Sequence, residues 1–96
     1  MVIEWDEEKN QKNIAKHGIS FNKAREVFED PFHLSIPDKR FNYYEERWIT
    51  MGQTGSSILI VVAHTCMDAN GNELTRIISA RHATGKERRQ YEDHGI

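Results

Sequence analysis

The chain has 96 residues, of which 13 are basic and 15 acidic, for a formal net charge of −2. Its length suits one domain with one compact core, taken as residues 1–96, and the near-balanced charge by itself predicts no partner. The single cysteine, Cys66, excludes an internal disulfide and favours a reducing cytoplasm. No signal peptide is visible, and the longest apolar run, at 58–63, is too short for a bilayer. We therefore expect a cytoplasmic protein without membrane contact.

Two helices are predicted near the N-terminus, after a short strand at 1–5. Asp6 is a typical N-cap and Gly18 a typical C-terminal stop, which predicts a first helix on the surface. Its only apolar edge is formed by Ile14 and Ala15. Ser20 caps a second helix that runs to about residue 30. The apolar residues of this helix recur at helical spacing and predict a buried face, made of Phe21, Ala24, Val27 and Phe28.

Four further strands are predicted, at 33–36, 46–53, 58–65 and from Leu74 onward. The third of these is almost continuously apolar, as a central strand buried on both faces would be. A polar and aromatic loop at 38–45 separates the first two, and the Asn70–Gly71 step within 68–72 favours a hairpin. The order predicts an α+β fold: an antiparallel β-sheet with two N-terminal helices and a C-terminal helix, all on one side of the sheet.

The segment 74–91 passes from a strand into a helix and concentrates the positive charge. Thr84 and Glu87 form a capping box at the start of that helix. Residues 76–96 hold five bases and three acids, whereas residues 1–30 hold five bases and seven acids. Arg76 and Arg81 lie in an apolar strand, where an unpaired guanidinium is costly to bury, so each must meet an acid, water or a phosphate. Guanidinium groups suit phosphate because they pair two oxygens at once and keep their charge.

Acid–base groups near these cations indicate one possible chemistry. A histidine or glutamate base with two arginines is the minimum for cleaving RNA without a metal: the base takes the 2′-OH proton, and the arginines stabilise the phosphate charge. The predicted catalytic residues are His64, Arg76, Arg81 and Glu46, with the identity of the base left open. The predicted RNA-binding residues are Arg47, Lys86, Arg88 and Arg89. The five histidines share no close spacing, so no metal or cofactor is predicted.

Several short phrases of the sequence, read together, resemble the BrnT family of bacterial toxins. They cover nearly the whole chain in order: Glu4-Trp5-Asp6, Asn13-Ile14-Ala15-Lys16-His17-Gly18, Ile19-Ser20-Phe21, Val27-Phe28-Glu29-Asp30-Pro31, Glu45-Glu46-Arg47, Arg76-Ile77-Ile78-Ser79-Ala80-Arg81 and Glu87-Arg88-Arg89. The resemblance implies a RelE-like fold and a ribonuclease that halts translation. It also implies neutralisation by a BrnA-like antitoxin, repression of the operator DNA by the complex, and a toxin homodimer within a hetero-tetramer.

Two other interpretations stay open at this point. The chain could be a non-catalytic module that binds an antitoxin and acts as a corepressor with the same fold. Alternatively, Lys86, Arg88 and Arg89 could be only the solvated face of a terminal helix, in an oligomerising domain without chemistry. Growth arrest on expression in a bacterial host would separate the ribonuclease from the corepressor.

Overall fold

The computed structural model describes residues 2–39, 46–69 and 72–94. Five strands and three α-helices follow in the predicted order. Their bounds are β1 Val2–Glu4, α1 Glu7–His17, α2 Phe21–Ala24, β2 Leu34–Pro37, β3 Arg47–Gln53, β4 Leu59–Ala69, β5 Asn72–His82 and α3 Gly85–His94, with a 3₁₀ segment at Arg25–Glu29 after α2. Most of the predicted 38–45 loop and the Asn70–Gly71 step lie outside the described residues. β4 continues to Ala69, four residues beyond its predicted end.

The five strands form one mixed sheet in the order β1-β5-β4-β3-β2. Three of the four pairings are antiparallel, but β1 runs parallel to β5, with Val2 opposite Leu74 and Glu4 opposite Arg76. The prediction of a wholly antiparallel sheet is therefore wrong at β1. Hairpins force antiparallel pairing between neighbours in sequence, whereas β1 and β5 are joined by most of the chain, and that connection permits either direction.

The helices lie on both faces of the sheet, and each face of β4 packs against residues from a different set of helices. Ile60 and Val62 belong to one core cluster, which contains residues of α2 and the 3₁₀ segment. Leu59 and Val61 belong to a second cluster, which contains Tyr91 of α3. Successive strand residues point to opposite faces, so α3 lies across the sheet from α1 and α2. The expectation that all helices pack on one side is wrong, although the continuous apolar run of β4 had already indicated two covered faces.

Helix α1 docks through buried amides and not through its apolar residues. The predicted caps are confirmed: Asp6 accepts a hydrogen bond from the Glu8 N–H, and Gly18 has a φ of 71°. Ile14 and Ala15 are exposed, whereas Asn10 and Asn13 are buried. The Asn13 side chain donates to the carbonyls of Ile19 and Ala80 and accepts from the Ala80 N–H, so it bonds β5 much as a strand would. Asn10 donates to Glu7 and accepts from the Phe21 N–H. The expected apolar edge is therefore replaced by two asparagines, whose burial is permitted by their hydrogen bonds.

The second helix is interrupted where an uninterrupted one was expected. Ser20 caps it as predicted, by accepting from the Lys23 N–H, but after Ala24 the chain tightens into the 3₁₀ segment. That segment approaches β3 closely at Gly52, where a Cβ atom would lie 2.9 Å from the Val27 carbonyl oxygen. Phe21 and Val27 are fully buried, whereas Phe28 is only half-buried. Phe28 packs against the core cluster without being enclosed by it, so the prediction that it is buried holds only in part.

Candidate functional site

Three arginines share the face of the sheet that α3 covers. Arg47 of β3 lies opposite Thr65 of β4, which in turn lies opposite Arg76 of β5. Directly opposed residues point to the same face, so these three side chains form a row across the sheet. Arg81 lies opposite Val61, whose side chain packs in the α3 cluster. Arg47, Arg76 and Arg81 therefore project from one face, although they come from two strands that are not neighbours.

Each arginine of β5 meets a carboxylate, which is one of the three outcomes expected for a guanidinium in an apolar strand. The Arg76 Nε atom lies 3.2 Å from Glu4 Oε1 at the exposed edge beside β1. Arg81 binds Glu87 with both arms of its fork, at 2.7 Å from Nη1 to Oε1 and 2.9 Å from Nη2 to Oε2. The exposed Arg76 pair is of the kind that contributes about 0–1 kcal/mol to folding. The Arg81 pair is bidentate and half-buried, so its geometry is much more restricted.

The capping box of α3 is confirmed, and it is built into the Arg81 pair. Glu87 Oε1 accepts from the Thr84 N–H at 2.9 Å, and the Glu87 N–H donates to Thr84 Oγ1 at 3.2 Å. The same carboxylate receives the Arg81 fork. Hydrogen bonds from Arg81, helped by those from Thr84, lower the pKa of Glu87 from 4.5 to about 2. Glu87 is therefore ionised throughout the neutral range and joins the end of β5 to the first turn of α3.

A second contact fixes the other end of α3. The Tyr91 hydroxyl donates to Asp30 Oδ2 at 2.5 Å, and the same oxygen accepts from the Gln53 N–H at 2.7 Å. Burial and this hydrogen bond raise the pKa of Tyr91 to about 12. Burial acts to raise the pKa of Asp30, but the hydrogen bonds from Gln53 and Tyr91 outweigh it and lower that pKa. Three basic side chains of α3 are exposed: Lys86, Arg88 and Arg89.

An apolar groove of about 300 Å³ runs between α3 and the sheet, and Glu87, the partner of Arg81, is one of the residues that line it. Three side chains of α3 form one wall: Glu87, Gln90 and His94. Five apolar side chains of the sheet form its floor and its other wall: Leu34, Ile36, Ile49, Met51 and Val61. Ile36 belongs to the edge strand β2 and is 60% exposed. The groove thus offers apolar surface beside β2, the edge strand of the described sheet, where a peptide segment can reach it.

The sequence placed His64 beside the arginines, but the structure puts it on the opposite face. It is 6% exposed, its ring packs edge-to-face on Phe28, and Nδ1 lies 3.2 Å from the Thr65 carbonyl oxygen. A carbonyl only accepts, so Nδ1 carries the proton, and Nε2 of the neutral ring accepts from Thr50 at 2.7 Å. Thr50 Oγ1 then accepts from the exposed Ser35 at 2.7 Å. Burial lowers the pKa of His64, against the raising effect of its backbone hydrogen bond.

Glu46, the other candidate base, is exposed immediately before β3 and adjacent to Arg47. The two partners of the β5 arginines were not identified as such from the sequence. Glu87 was recognised only as a helix cap, and its position six residues after Arg81 contains no signal for an ion pair across a strand–helix turn. Glu4 is 72 residues from Arg76 and meets it only because β1 pairs with β5.

Within residues 2–39, 46–69 and 72–94, no three His, Cys, Asp or Glu side chains are grouped as a metal site requires. The helices of the same residues are too short or too polar to cross a membrane.

Two comparisons with known proteins define the class and then the family. The solved structures include a match in the 1.1 Å crystal structure of the Brucella abortus ribonuclease toxin BrnT, with a TM-score of 0.64 and 31% identity, over 88% of this chain and 97% of that chain. The fold is thus that of a small ribonuclease toxin. The sequence profile described as "Ribonuclease toxin, BrnT, of type II toxin-antitoxin system" matches residues 5–87. The chain therefore belongs to the BrnT family, as the resemblance predicted. No curated protein sequence matches it.

Proposed function

We propose that this member of the BrnT family is an endoribonuclease that cleaves RNA without a metal and thereby inhibits translation in the cytoplasm. The observation that carries the proposal is the collection of Arg47, Arg76 and Arg81 on one face of the sheet, which is covered by a helix with three exposed cations, in a chain whose net charge is −2. Clustering against the overall charge creates a local positive field that favours an anionic substrate.

The proposed chemistry follows from what each group does. Arg76 and Arg81 stabilise the charge that develops on the phosphate, as preorganised donors do in other acyl and phosphoryl transfers. Arg47, Lys86, Arg88 and Arg89 bind the RNA backbone. A base removes the 2′-OH proton, the 2′-oxygen bonds to the phosphorus, the phosphorus–5′-oxygen bond breaks, and the leaving 5′-oxygen takes up a proton from the protonated base or from water. Of the two candidate bases, the geometry favours Glu46, because it is exposed and adjacent to Arg47, whereas His64 is buried on the other face. The variants Glu46→Gln and His64→Gln decide between them.

We further propose that a BrnA-like antitoxin neutralises the toxin by covering this face. The apolar groove beside α3 fits an amphipathic segment, and acidic side chains of that segment would meet the α3 cations. The hetero-tetramer containing a toxin homodimer, the repression of operator DNA through the complex and the RelE-like character of the fold belong to the same proposal. The family membership implies an antitoxin, and the identity of that antitoxin is what the proposal adds.

One observation favours the alternative of a non-catalytic corepressor with the same fold. Both arginines of β5 already have carboxylate partners, Glu4 and Glu87, so neither guanidinium is reserved for a substrate. A structural ion pair of this kind predicts that Arg81→Ala loses thermal stability and activity together, because Glu87 is left without its counter-charge.

The test measures rate and stability on the same preparations. Free protein is incubated with RNA in the presence of EDTA, for the wild type, Arg76→Ala, Arg81→Ala and the matched control Lys16→Ala, which removes an exposed cation of α1. The proposal expects cleavage in EDTA, a loss of about 10²–10³-fold in the rate per folded protein for each arginine variant, an unchanged Tm for Arg76→Ala, and no change for the control. A wild-type protein that neither arrests growth on expression nor cleaves RNA would support the corepressor.

A further inference from the structure

The carboxylate of Glu87 contacts both the start of α3 and the guanidinium of Arg81. At the start of α3 it accepts a hydrogen bond from the N–H of the capping residue Thr84 at 2.9 Å. On the strand side it binds the two arms of the Arg81 guanidinium at 2.7 and 2.9 Å. Arg81 Nη1 also donates to the neighbouring His82 carbonyl oxygen at 3.2 Å. The Glu87 side chain is 24% exposed and the Arg81 side chain is 42% exposed, so the ion pair is partly buried on the face of the sheet that α3 covers.

These contacts remove most of the freedom of a long side chain. A free arginine samples many rotamers, and ordering such a long side chain costs rotamer entropy. A fork bound by both oxygens of one carboxylate has a single plane and a single direction. The carboxylate is itself fixed, since its backbone belongs to α3 and its Oε1 atom is held by the cap. The orientation of Arg81 is therefore set by the start of α3, and not by the β5 backbone alone.

We propose that Glu87 is a positioning residue of the ribonuclease site: it holds the Arg81 guanidinium in the orientation in which it meets an RNA phosphate. The inference rests on the proposed function of Arg81. It differs from a purely structural role for the pair, because it requires Glu87 to act on the reaction through Arg81. It also differs from masking, in which Glu87 would compete with the phosphate for Arg81 and its removal would raise the activity.

The experiment is a double-mutant cycle of Glu87→Ala and Arg81→Ala, with kcat, KM and Tm measured for each protein. Misplacement of a catalytic group costs up to about 10²-fold in rate, so Glu87→Ala is expected to lower kcat by about 10- to 100-fold. In the Arg81→Ala background the same substitution is expected to change kcat by less than about two-fold, because the group through which it acts is already gone. KM is expected to change little in comparison with kcat.

Two further variants separate positioning from the loss of the helix cap. Thr84→Ala removes the cap hydroxyl and leaves the Arg81 fork in place, so kcat is expected to stay at the wild-type value even if Tm falls. Glu87→Gln keeps one acceptor oxygen but cannot bind both arms of the Arg81 guanidinium. Its kcat is therefore expected to lie between those of the wild type and Glu87→Ala. Glu87→Gln also serves as the test variant if Glu87→Ala does not fold.

The positioning role is overturned by an unchanged or increased kcat in Glu87→Ala, or by an equal loss of kcat in the Arg81→Ala background. The affinity for uncleavable 2′-O-methyl RNA, measured over the same cycle, separates this failure from that of the proposed function. If the wild type binds this RNA but cleaves no substrate, the proposed function fails and the positioning role fails with it; if the wild type binds and cleaves RNA while the cycle in kcat is additive, only the positioning role fails. If the wild type neither binds nor cleaves RNA, both are overturned.

Discussion

The two faces of the sheet bury polar groups by opposite means. On the face covered by α1 and α2, Asn13 and His64 are neutral, buried and hydrogen-bonded, and both contact residues that belong to the larger core cluster or pack against it. On the face covered by α3, the arginines are only partly buried and each β5 guanidinium meets a carboxylate. Among the residues that the structure describes, the buried cluster of this face has four members, against eight on the other face. The comparison indicates that stability resides mainly on the first face, which leaves the second free to keep charge where a ligand can reach it.

The largest expected effect is the loss of an aromatic side chain from the first face. Phe21→Ala should lower the free energy of unfolding by about 3–5 kcal/mol, because Phe21 is fully buried and its removal leaves a cavity. Phe32→Ala is the matched control, since Phe32 is 54% exposed and should change stability by less than about 0.5 kcal/mol. Urea denaturation measures both. Equal effects of the two variants would contradict the assignment of the main core to this face.

The next effect tests whether α1 is held by amides. Asn13→Ala should cost about 1–3 kcal/mol, because the backbone N–H and carbonyl of Ala80 lose their partner in a buried position. Gln11→Ala removes an exposed amide from the same helix and should have little effect. Thermal unfolding of the two proteins compares them directly. A Tm for Asn13→Ala equal to that of Gln11→Ala would show that α1 does not depend on this contact.

A smaller effect should separate the faces in antitoxin binding. The double charge reversal Arg88→Glu and Arg89→Glu should lower the affinity for the antitoxin by about ten-fold. It should also reduce the salt dependence of binding, as expected for charges around an interface. The matched control reverses Lys9 and Lys12 of α1, which changes the net charge equally on the other side of the sheet. Titration calorimetry at two salt concentrations provides the measurement. If the α1 variant weakens binding as much as the α3 variant, the antitoxin does not recognise the α3 face.

The smallest effect is a pH dependence that belongs to the first face. His64 has a lowered pKa in the folded state, so the unfolded chain binds more protons below the ordinary value of 6.5. The free energy of unfolding should therefore decrease as the pH falls from 7 towards 5.5, and His64→Gln should flatten this part of the profile. His17→Gln, in the last turn of α1, is the control. A wild-type profile that is flat in this range, or one that His64→Gln leaves unaltered, would contradict a buried neutral His64.

The sequence alone determined much of the local structure. Caps at Asp6, Gly18, Ser20 and Thr84, together with the apolar run of β4, were enough to predict the order of helices and strands. The short sequence phrases that follow one another along the chain were enough to predict the BrnT family. These features are readable because caps and strand periodicity depend on residues a few positions apart, and the family resemblance depends on residue identity in order.

Tertiary structure alone decided which of these residues meet. The parallel pairing of β1 brings Glu4 to Arg76, and the return of α3 onto the second face brings Glu87 to Arg81 and Tyr91 to Asp30. His64 and Arg81 come from neighbouring strands, as predicted, but side-chain alternation places them on opposite faces. Such contacts depend on strand direction and on which face each helix covers. Both depend on how the two faces of β4 are covered at 59–65, a property of the packed chain that no short stretch of sequence contains.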